Sequence, residues 1–144
     1  DLSLGVQWLL DATEEAGVPL LSANLRCEGF EPFVTARLVE RAGLRIGITA
    51  VLDTNSTLPE MCRTVEPSTA VFSALEDLGP LDLRVVLSHQ RSRENEALVE
   101  GLPLPVLVIS GDARSGSPEP EELAGGALQV AAGDVISGRE WVCG

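Results

Sequence analysis

Two short apolar runs on either side of a helical segment constrain the fold of this chain more than any other feature. The runs LRVVLS (83–88) and PVLVIS (105–110) are rich in β-branched residues. Nearly continuous hydrophobicity over this length is typical of strands buried on both faces. The segment from Arg93 to Glu100 has helical spacing and one polar face. Strand, helix and strand in this order predict a βαβ unit with parallel strands.

The rest of the pattern places further helices and strands around this unit. Apolar spacing predicts helices over 2–16 and 67–78, and strands over 18–23, 32–39, 44–52, 127–132 and 139–143. A tight turn predicted at 40–43 would join the strands at 32–39 and 44–52 into a hairpin. Residues 53–66 and 111–122 are predicted to be loops. No repeat or linker divides the sequence, so residues 1–144 are predicted to form one α/β unit, a mixed sheet with flanking helices.

Composition narrows the classes of partner. The 144 residues are 44% hydrophobic, enough for a core that needs no metal or disulfide. Against 22 acidic residues stand 10 basic ones, all arginine, and the formal net charge is -12. Such a surface repels phosphate backbones and anionic lipids, which argues against nucleic-acid and membrane partners, and it attracts divalent cations. No apolar run has the roughly 18 residues that a transmembrane helix needs.

The three cysteines leave their redox state open. Cys27, Cys62 and Cys143 match neither the CxxC spacing of a metal knuckle nor a disulfide framework. Their odd number favours free thiols, with one disulfide and one free thiol as the alternative. The redox compartment is therefore undecided at this point. A redox reaction at one of the thiols is a weaker hypothesis of function than the two given at the end of this section.

Polar residues follow four of the predicted strands. They are Asn24, Asp53, His89 and Asp112. In open α/β sheets, ligands bind beyond the carboxyl ends of the strands, so these side chains are candidates for one shared cleft. His89 is the single histidine, and an imidazole with carboxylate and amide oxygens suits a partial metal shell. The alternative is structural: the histidine caps its strand, and the Asn and Asp residues form turns.

Other catalytic signatures are missing from the sequence. It has no GxGxxG, GxxxxGK[ST], HExxH or GxSxG motif. Ser88 adjoins His89, but neighbouring residues of a strand face opposite ways, so the pair does not predict a nucleophile and its base.

Six segments in order resemble the later half of a known domain. They are LLSANL (20–25), EPFVTARLVERAGLRIGITAV (31–51), VEPSTAVFSALEDL (65–78), LRVVLSHQ (83–90), VISGDAR (108–114) and ALQVAAGD (127–134). The chain is similar over nearly its whole length to the calcineurin-like metallophosphatase domain of secreted 5'-nucleotidases. That resemblance implies the later half of an αββα sandwich.

The resemblance also implies where chemistry would lie. Members of this family hold two divalent metals, such as Mn or Zn, that bind a phosphate ester and activate water. Their first three ligand motifs would lie upstream of Asp1, and the fourth places a metal-binding histidine at His89. In the fifth, a Gly-His motif is replaced by Gly111-Asp112-Ala113-Arg114. Asp112 retains a ligand oxygen, whereas Arg114 adds a fixed positive charge that would oppose a dimetal centre and favour a phosphate or carboxylate.

Two functions are therefore predicted for the chain. The first is a partial 5'-nucleotidase-like metallophosphoesterase domain, inactive by itself, with no catalytic residue and no cofactor of its own. Its partner would be the missing N-terminal half of the same domain, and its ligand a small phosphorylated molecule. The alternative is a binding or scaffold module that reuses the fold without hydrolysis. By resemblance alone, the parent protein would be periplasmic or secreted.

Overall fold

The computed structural model describes residues 6–29, 33–111 and 119–131. Helices are α1 (Val6–Ala16), α2 (Pro67–Glu76) and α3 (Ser92–Val99), with a 3-10 turn at Ala124–Gly126. Strands are β1 (Leu25–Cys27), β2 (Ala36–Arg41), β3 (Leu44–Val51), β4 (Cys62–Thr64), β5 (Leu83–Ser88), β6 (Val106–Ser110), β7 (Glu121–Glu122) and β8 (Leu128–Ala131). Of the helices described, none combines the length and hydrophobicity that a bilayer span requires.

The main sheet has six strands in the order β2-β3-β5-β6-β8-β7. Neighbours among β3, β5, β6 and β8 run parallel, and β2 and β7 flank them as antiparallel edges. The predicted α/β class, mixed sheet and βαβ unit are therefore confirmed. The predicted hairpin is also present: β2 and β3 join through Ala42 and Gly43, whose φ angles of 51° and 79° suit a tight turn between twisted strands.

The main core lies between this sheet and helices α2 and α3. Alternate strand residues face the helices and are buried, among them Val51, Val86 and Val108. Gly47 brings β3 close to the α2 side, because a β-carbon there would lie 2.5 Å from Leu81 Cδ1. The opposite face is aliphatic and much less covered; Leu128 is 47% exposed on it.

A second, smaller unit stands beside the main sheet. Strands β1 and β4 pair antiparallel, and a disulfide joins Cys27 to Cys62 at directly opposite positions. A separate apolar cluster surrounds this pair, formed by Leu25 and Cys62 with the partly buried Leu10, Cys27, Phe33, Leu52 and Leu58. The expectation of free thiols is therefore wrong for these two residues, and one bridge is the correct alternative. Cys143 lies outside the described residues.

Three predicted elements differ from the structure. Residues 18–23 form no strand beyond an isolated bridge from Leu21 to Val34, and the chain bends at Ala23 and Asn24. Ser22 N donates to Val34 O and Ala23 N to Ala50 O, and the strand begins only at Leu25. The predicted loops at 53–66 and 111–122 contain the short strands β4 and β7. The strand predicted at 139–143 lies outside the described residues.

Candidate functional site

The parallel strands end together at one edge of the main sheet, which we call the carboxyl edge. Val51 of β3 pairs in register with Ser88 of β5, and Ser88 pairs with Ser110 of β6. The residues that follow these strands therefore start from the same level. Asp53, His89 and Gly111 all emerge here, as the spacing of the polar residues predicts.

Asn24 lies beside this edge but is occupied in holding the backbone. Its side chain is fully buried. The amide nitrogen donates to Leu52 O at 2.9 Å, and Leu52 N donates to the amide oxygen at 2.9 Å. Its backbone oxygen accepts a bond from Val65 N at 2.8 Å. With both amide atoms bound, Asn24 fixes the end of β3 and presents no group to a ligand.

Asp53 begins the loop after β3 and stabilises its first turn. One carboxylate oxygen accepts hydrogen bonds from the backbone and side-chain nitrogens of Asn55, at 2.8 and 3.0 Å. Ser56 N closes the turn on Asp53 O at 3.0 Å. This is the turn geometry that Asp at a loop start favours. The second carboxylate oxygen carries no described bond to another residue.

His89 is the exposed polar side chain at the centre of the carboxyl edge. Its backbone nitrogen donates to Val51 O at 3.2 Å, which ties the residue to the neighbouring strand. Its ring lies next to the residue after β6, since a β-carbon on Gly111 would be 3.8 Å from Cδ2. Ser88 is buried on the opposite side, so the two residues do face apart. An exposed imidazole at a strand end is free to bind a ligand.

Asp112 and Arg114 lie outside the described residues. The strands that precede His89 and Asp112 are adjacent and parallel, and Gly111 N donates to Ser88 O at 2.8 Å. The structure therefore brings together His89, Asp53 and the start of the Gly111 segment. Asn24 is nearby but turned to the backbone.

These residues do not make a complete metal centre. Within the described ranges, no group of three or more His, Cys, Asp or Glu side chains is arranged to hold a metal ion. His89 offers one imidazole and Asp53 one carboxylate oxygen that has no described bond. A transition metal bound through protein side chains usually needs three or four ligands. No reaction step follows from the described residues alone.

A small acidic cleft lies next to the carboxyl edge on the helix side. It has a volume of about 200 Å³ and is lined in part by Thr54, Glu66, Gln90 and Glu94. Glu66 caps α2 by accepting hydrogen bonds from Ser68 N and Thr69 N. The bond from Thr69 N contributes most to lowering the pKa of Glu66 to about 2. The Glu66 carboxylate occupies the backbone N–H groups at the start of α2, so these groups are not available to bind an anion.

Sequence reasoning missed the buried polar residues beneath the edge. Ser88, Asn95 and Gln129 are almost fully buried, and Asn95 is hydrogen-bonded to both of the others. A signal was present for one of them, because Asn95 shares the apolar stripe of its helix with Leu98 and Val99. A polar residue at such a position requires a buried partner. The partners themselves lie on two strands and could not be identified from spacing.

Comparisons with known proteins agree with this architecture. Neither a protein-family model nor a curated protein matches the chain. Among solved structures, the sulfate thiohydrolase SoxB of Thermus thermophilus aligns with TM-score 0.74 and 17% identity, over 90% of this chain. A 5'-nucleotidase precursor of Thermus thermophilus aligns with TM-score 0.67 and 19% identity, over 87%. The NAD nucleotidase of Haemophilus influenzae aligns with TM-score 0.64 and 16% identity, also over 87%.

Each alignment covers most of this chain but only a small part of the matched protein. The chain spans only 26%, 29% and 27% of those three proteins. At such identities the comparisons establish the fold, and the resemblance inferred from the six sequence segments is confirmed at that level. The chain has the α/β fold that part of the 5'-nucleotidase-type proteins adopts.

Proposed function

We propose that this chain is the later part of a metal-dependent phosphoester hydrolase domain of the 5'-nucleotidase type, and that it supplies one wall of the active site. The observation that carries the proposal is the exposed His89 at the carboxyl edge of four parallel strands, in a fold shared with 5'-nucleotidases. Support also comes from the tie between β5 and β6, which sets His89 next to the Gly111 segment.

The partner in this proposal is the preceding half of the same domain. The less covered face of the main sheet supports it, because two rows of aliphatic side chains cross four strands on this face and only Val85 among them is buried. The rows are Ile48, Val85, Leu107 and Leu128, and Ala50, Leu87, Ile109 and Val130. Leu87 and Ile109 are 37% and 36% exposed. Exposed apolar surface of this extent typically marks a contact surface, and packing a second sheet there would bury it.

Metal chemistry would depend on both halves. A pair of divalent ions such as Mn or Zn would supply Lewis-acid activation of the phosphate ester and of water. From this chain, His89 would hold one ion through a ring nitrogen, and Asp112 is the second candidate ligand. Within the described residues no group of three or more His, Cys, Asp or Glu side chains could hold a metal ion, and this supports the proposal that the chain alone is inactive. The substrate class is a small phosphorylated molecule.

A binding or scaffold module is the second candidate function. It is favoured by the sequence Gly111-Asp112-Ala113-Arg114, in which an arginine stands where a metal ligand is expected from the resemblance. A guanidinium recognises phosphate or carboxylate through paired hydrogen bonds but cannot ligate a metal. Under this second candidate function, the protein keeps the fold and the ligand pocket but does not hydrolyse its ligand.

An exported location is part of the proposal. The disulfide between Cys27 and Cys62 supports it, because stable disulfides form in oxidising compartments such as the periplasm or the extracellular space.

The test compares the chain with a longer version that includes its natural upstream residues. The chain alone, with manganese or zinc and a nucleoside monophosphate, should release no phosphate above the buffer rate. The longer version should bind metal in calorimetry, and His89→Ala should weaken that binding at least tenfold. Turnover by the chain alone would contradict the first proposal. Metal binding that ignores His89→Ala would contradict the assigned ligand.

Arg114→His separates the two candidate functions. In the longer version, a gain of metal affinity and of hydrolysis would identify a binding module whose metal chemistry the arginine had removed. Hydrolysis that is already present and is not increased by the substitution would support the enzyme.

A further inference from the structure

We propose that Asn95 is a positioning residue for His89, acting through Ser88 and a buried chain of hydrogen bonds that reaches strand β8. The inference rests on the proposed function, in which His89 is the ligand-bearing side chain of the carboxyl edge. It concerns how the imidazole is held there before any ligand binds.

The chain of hydrogen bonds crosses three elements of the main unit. Ser88 Oγ of β5 lies 2.6 Å from Asn95 Oδ1 of α3. Asn95 Nδ2 donates to Gln129 Oε1 of β8 at 2.7 Å. Gln129 Nε2 in turn donates to Ser92 Oγ at 2.9 Å and lies 3.4 Å from Glu121 Oε2. Asn95 is fully buried, and Ser88 and Gln129 are 4% and 2% exposed.

The direction of these hydrogen bonds follows from the groups at the two ends. A carboxylate such as Glu121 only accepts, so the amide nitrogen of Gln129 faces it and the amide oxygen faces Asn95. Asn95 must then give its nitrogen to Gln129 and its oxygen to Ser88. Ser88 therefore donates its only proton to Asn95, which leaves the lone pairs of its oxygen for another donor.

That donor is the residue immediately after His89. Gln90 N donates to Ser88 Oγ at 3.1 Å, so the hydroxyl spans His89 and fixes the bend that follows β5. The backbone oxygen of Ser88 also accepts a bond from Gly111 N at 2.8 Å. Ser88 thus controls both the bend that carries His89 and the neighbouring segment. Without Asn95, its hydroxyl would lose the acceptor that orients it.

The buried setting makes this control strong. Leaving a buried polar group without its partner is costly, and only one orientation of the side chains satisfies every group in this series of hydrogen bonds. A merely structural role would stabilise the fold without acting on His89. Thr49 gives the matched comparison, since it is fully buried in β3, and its hydroxyl donates to Thr35 O at 2.6 Å, away from His89.

The experiment uses NMR on the metal-free chain, because its single histidine gives a single set of imidazole ring signals. Asn95→Ala should shift the ring signals of His89 and speed amide exchange at Gln90 by about tenfold, the effect of losing one buried hydrogen bond. Thr49→Ala should lower the melting temperature comparably and leave both readouts unchanged. If Asn95→Ala affects only stability, as Thr49→Ala does, the inference is overturned.

Two further variants test the route and the direction. In a Ser88→Ala background, Asn95→Ala should add nothing to the change at His89, because the route through Ser88 is already cut. A full additional change would refute that route. In Asn95→Asp, burial favours the neutral carboxyl, which can accept from Ser88 and donate to Gln129, so Gln90 exchange should stay close to wild type even if Asn95→Ala does not fold. Since all spectra are recorded without metal, failure to bind metal would overturn the proposed function and leave this inference standing.

Discussion

The main sheet and the small disulfide unit are held together by different means. The main sheet buries a contiguous aliphatic core between four parallel strands and two helices. Among the described residues, the small unit has two three-residue strands and two buried apolar residues, Leu25 and Cys62. Two strands of this length are not stable by hydrophobic burial alone. The disulfide and the fully buried Asn24 add to the stability that this small apolar cluster provides.

The comparison matters for function because both regions border the carboxyl edge. The main sheet carries His89, and the small unit holds the two ends of the segment 53–61. Asn24 fastens the start of that segment at Leu52, and the disulfide fastens its end at Cys62. The ends of segment 53–61 are therefore held by the small disulfide unit, whereas His89 is held by the main sheet with its larger apolar core.

The largest expected effect comes from removing the disulfide. Cys27→Ser should lower the free energy of unfolding by about 3 kcal/mol, because the bond closes a long loop of the unfolded chain. Amide exchange should rise in β1, β4 and residues 53–61, and stay low in β5 and β6. Cys143→Ser is the comparison, because it removes a cysteine that is not part of this disulfide. Uniform loosening of both regions would show that they form one cooperative unit.

A substitution in the main sheet should have the opposite distribution. Gly47→Val should cost about 2 to 3 kcal/mol, since a β-carbon would lie 2.5 Å from Leu81 Cδ1 and 3.1 Å from Leu75 Cδ2. Chemical denaturation measures the loss, and exchange should rise across β3 and α2. Gly43→Asn, in the exposed turn, is a control with little cost. An equally stable Gly47→Val variant would mean that this contact is not tight.

Asn24→Ala tests the link between the two regions. We expect a loss of about 2 kcal/mol, because two hydrogen bonds to Leu52 disappear and its backbone groups are left unpaired. Exchange at Leu52 should rise while the disulfide stays intact. In Asn24→Asp, burial favours the neutral carboxyl, which can accept from Leu52 N and donate to Leu52 O, so this variant should recover part of the loss. No recovery would contradict the role of this pair of hydrogen bonds.

The smallest effect concerns Glu66 and depends on pH. Its pKa is lowered to about 2 in the folded chain, so its contribution is present above its ordinary value of 4.5 and is lost as the pH falls towards 2. Because the side chain is exposed, water reduces this to about 1 kcal/mol. Glu66→Gln should therefore be less stable than wild type at pH 7, with the gap closing near pH 2. A constant gap would contradict a charged cap.

The sequence by itself determined the elements whose hydrophobic pattern is local. The β-branched runs specified β5 and β6, Pro67 marked the start of α2, and the polar residues after the strands indicated the carboxyl edge. Alternation along a strand was enough to separate exposed His89 from buried Ser88. These features depend on residues within one turn of helix or one pair of strands, which is why spacing revealed them.

Only the tertiary structure decided which distant residues are partners. Cys27 and Cys62 are 35 residues apart and become neighbours because β1 and β4 pair beside the main sheet. The sequence predicts a turn or cleft role for Asn24, whereas in the structure its amide binds the backbone of Leu52 at the end of β3. Asn95 found acceptors and donors on two strands at once. Buried polar groups form hydrogen bonds with partners that are distant in sequence and close only in the fold, so local sequence does not identify these partners.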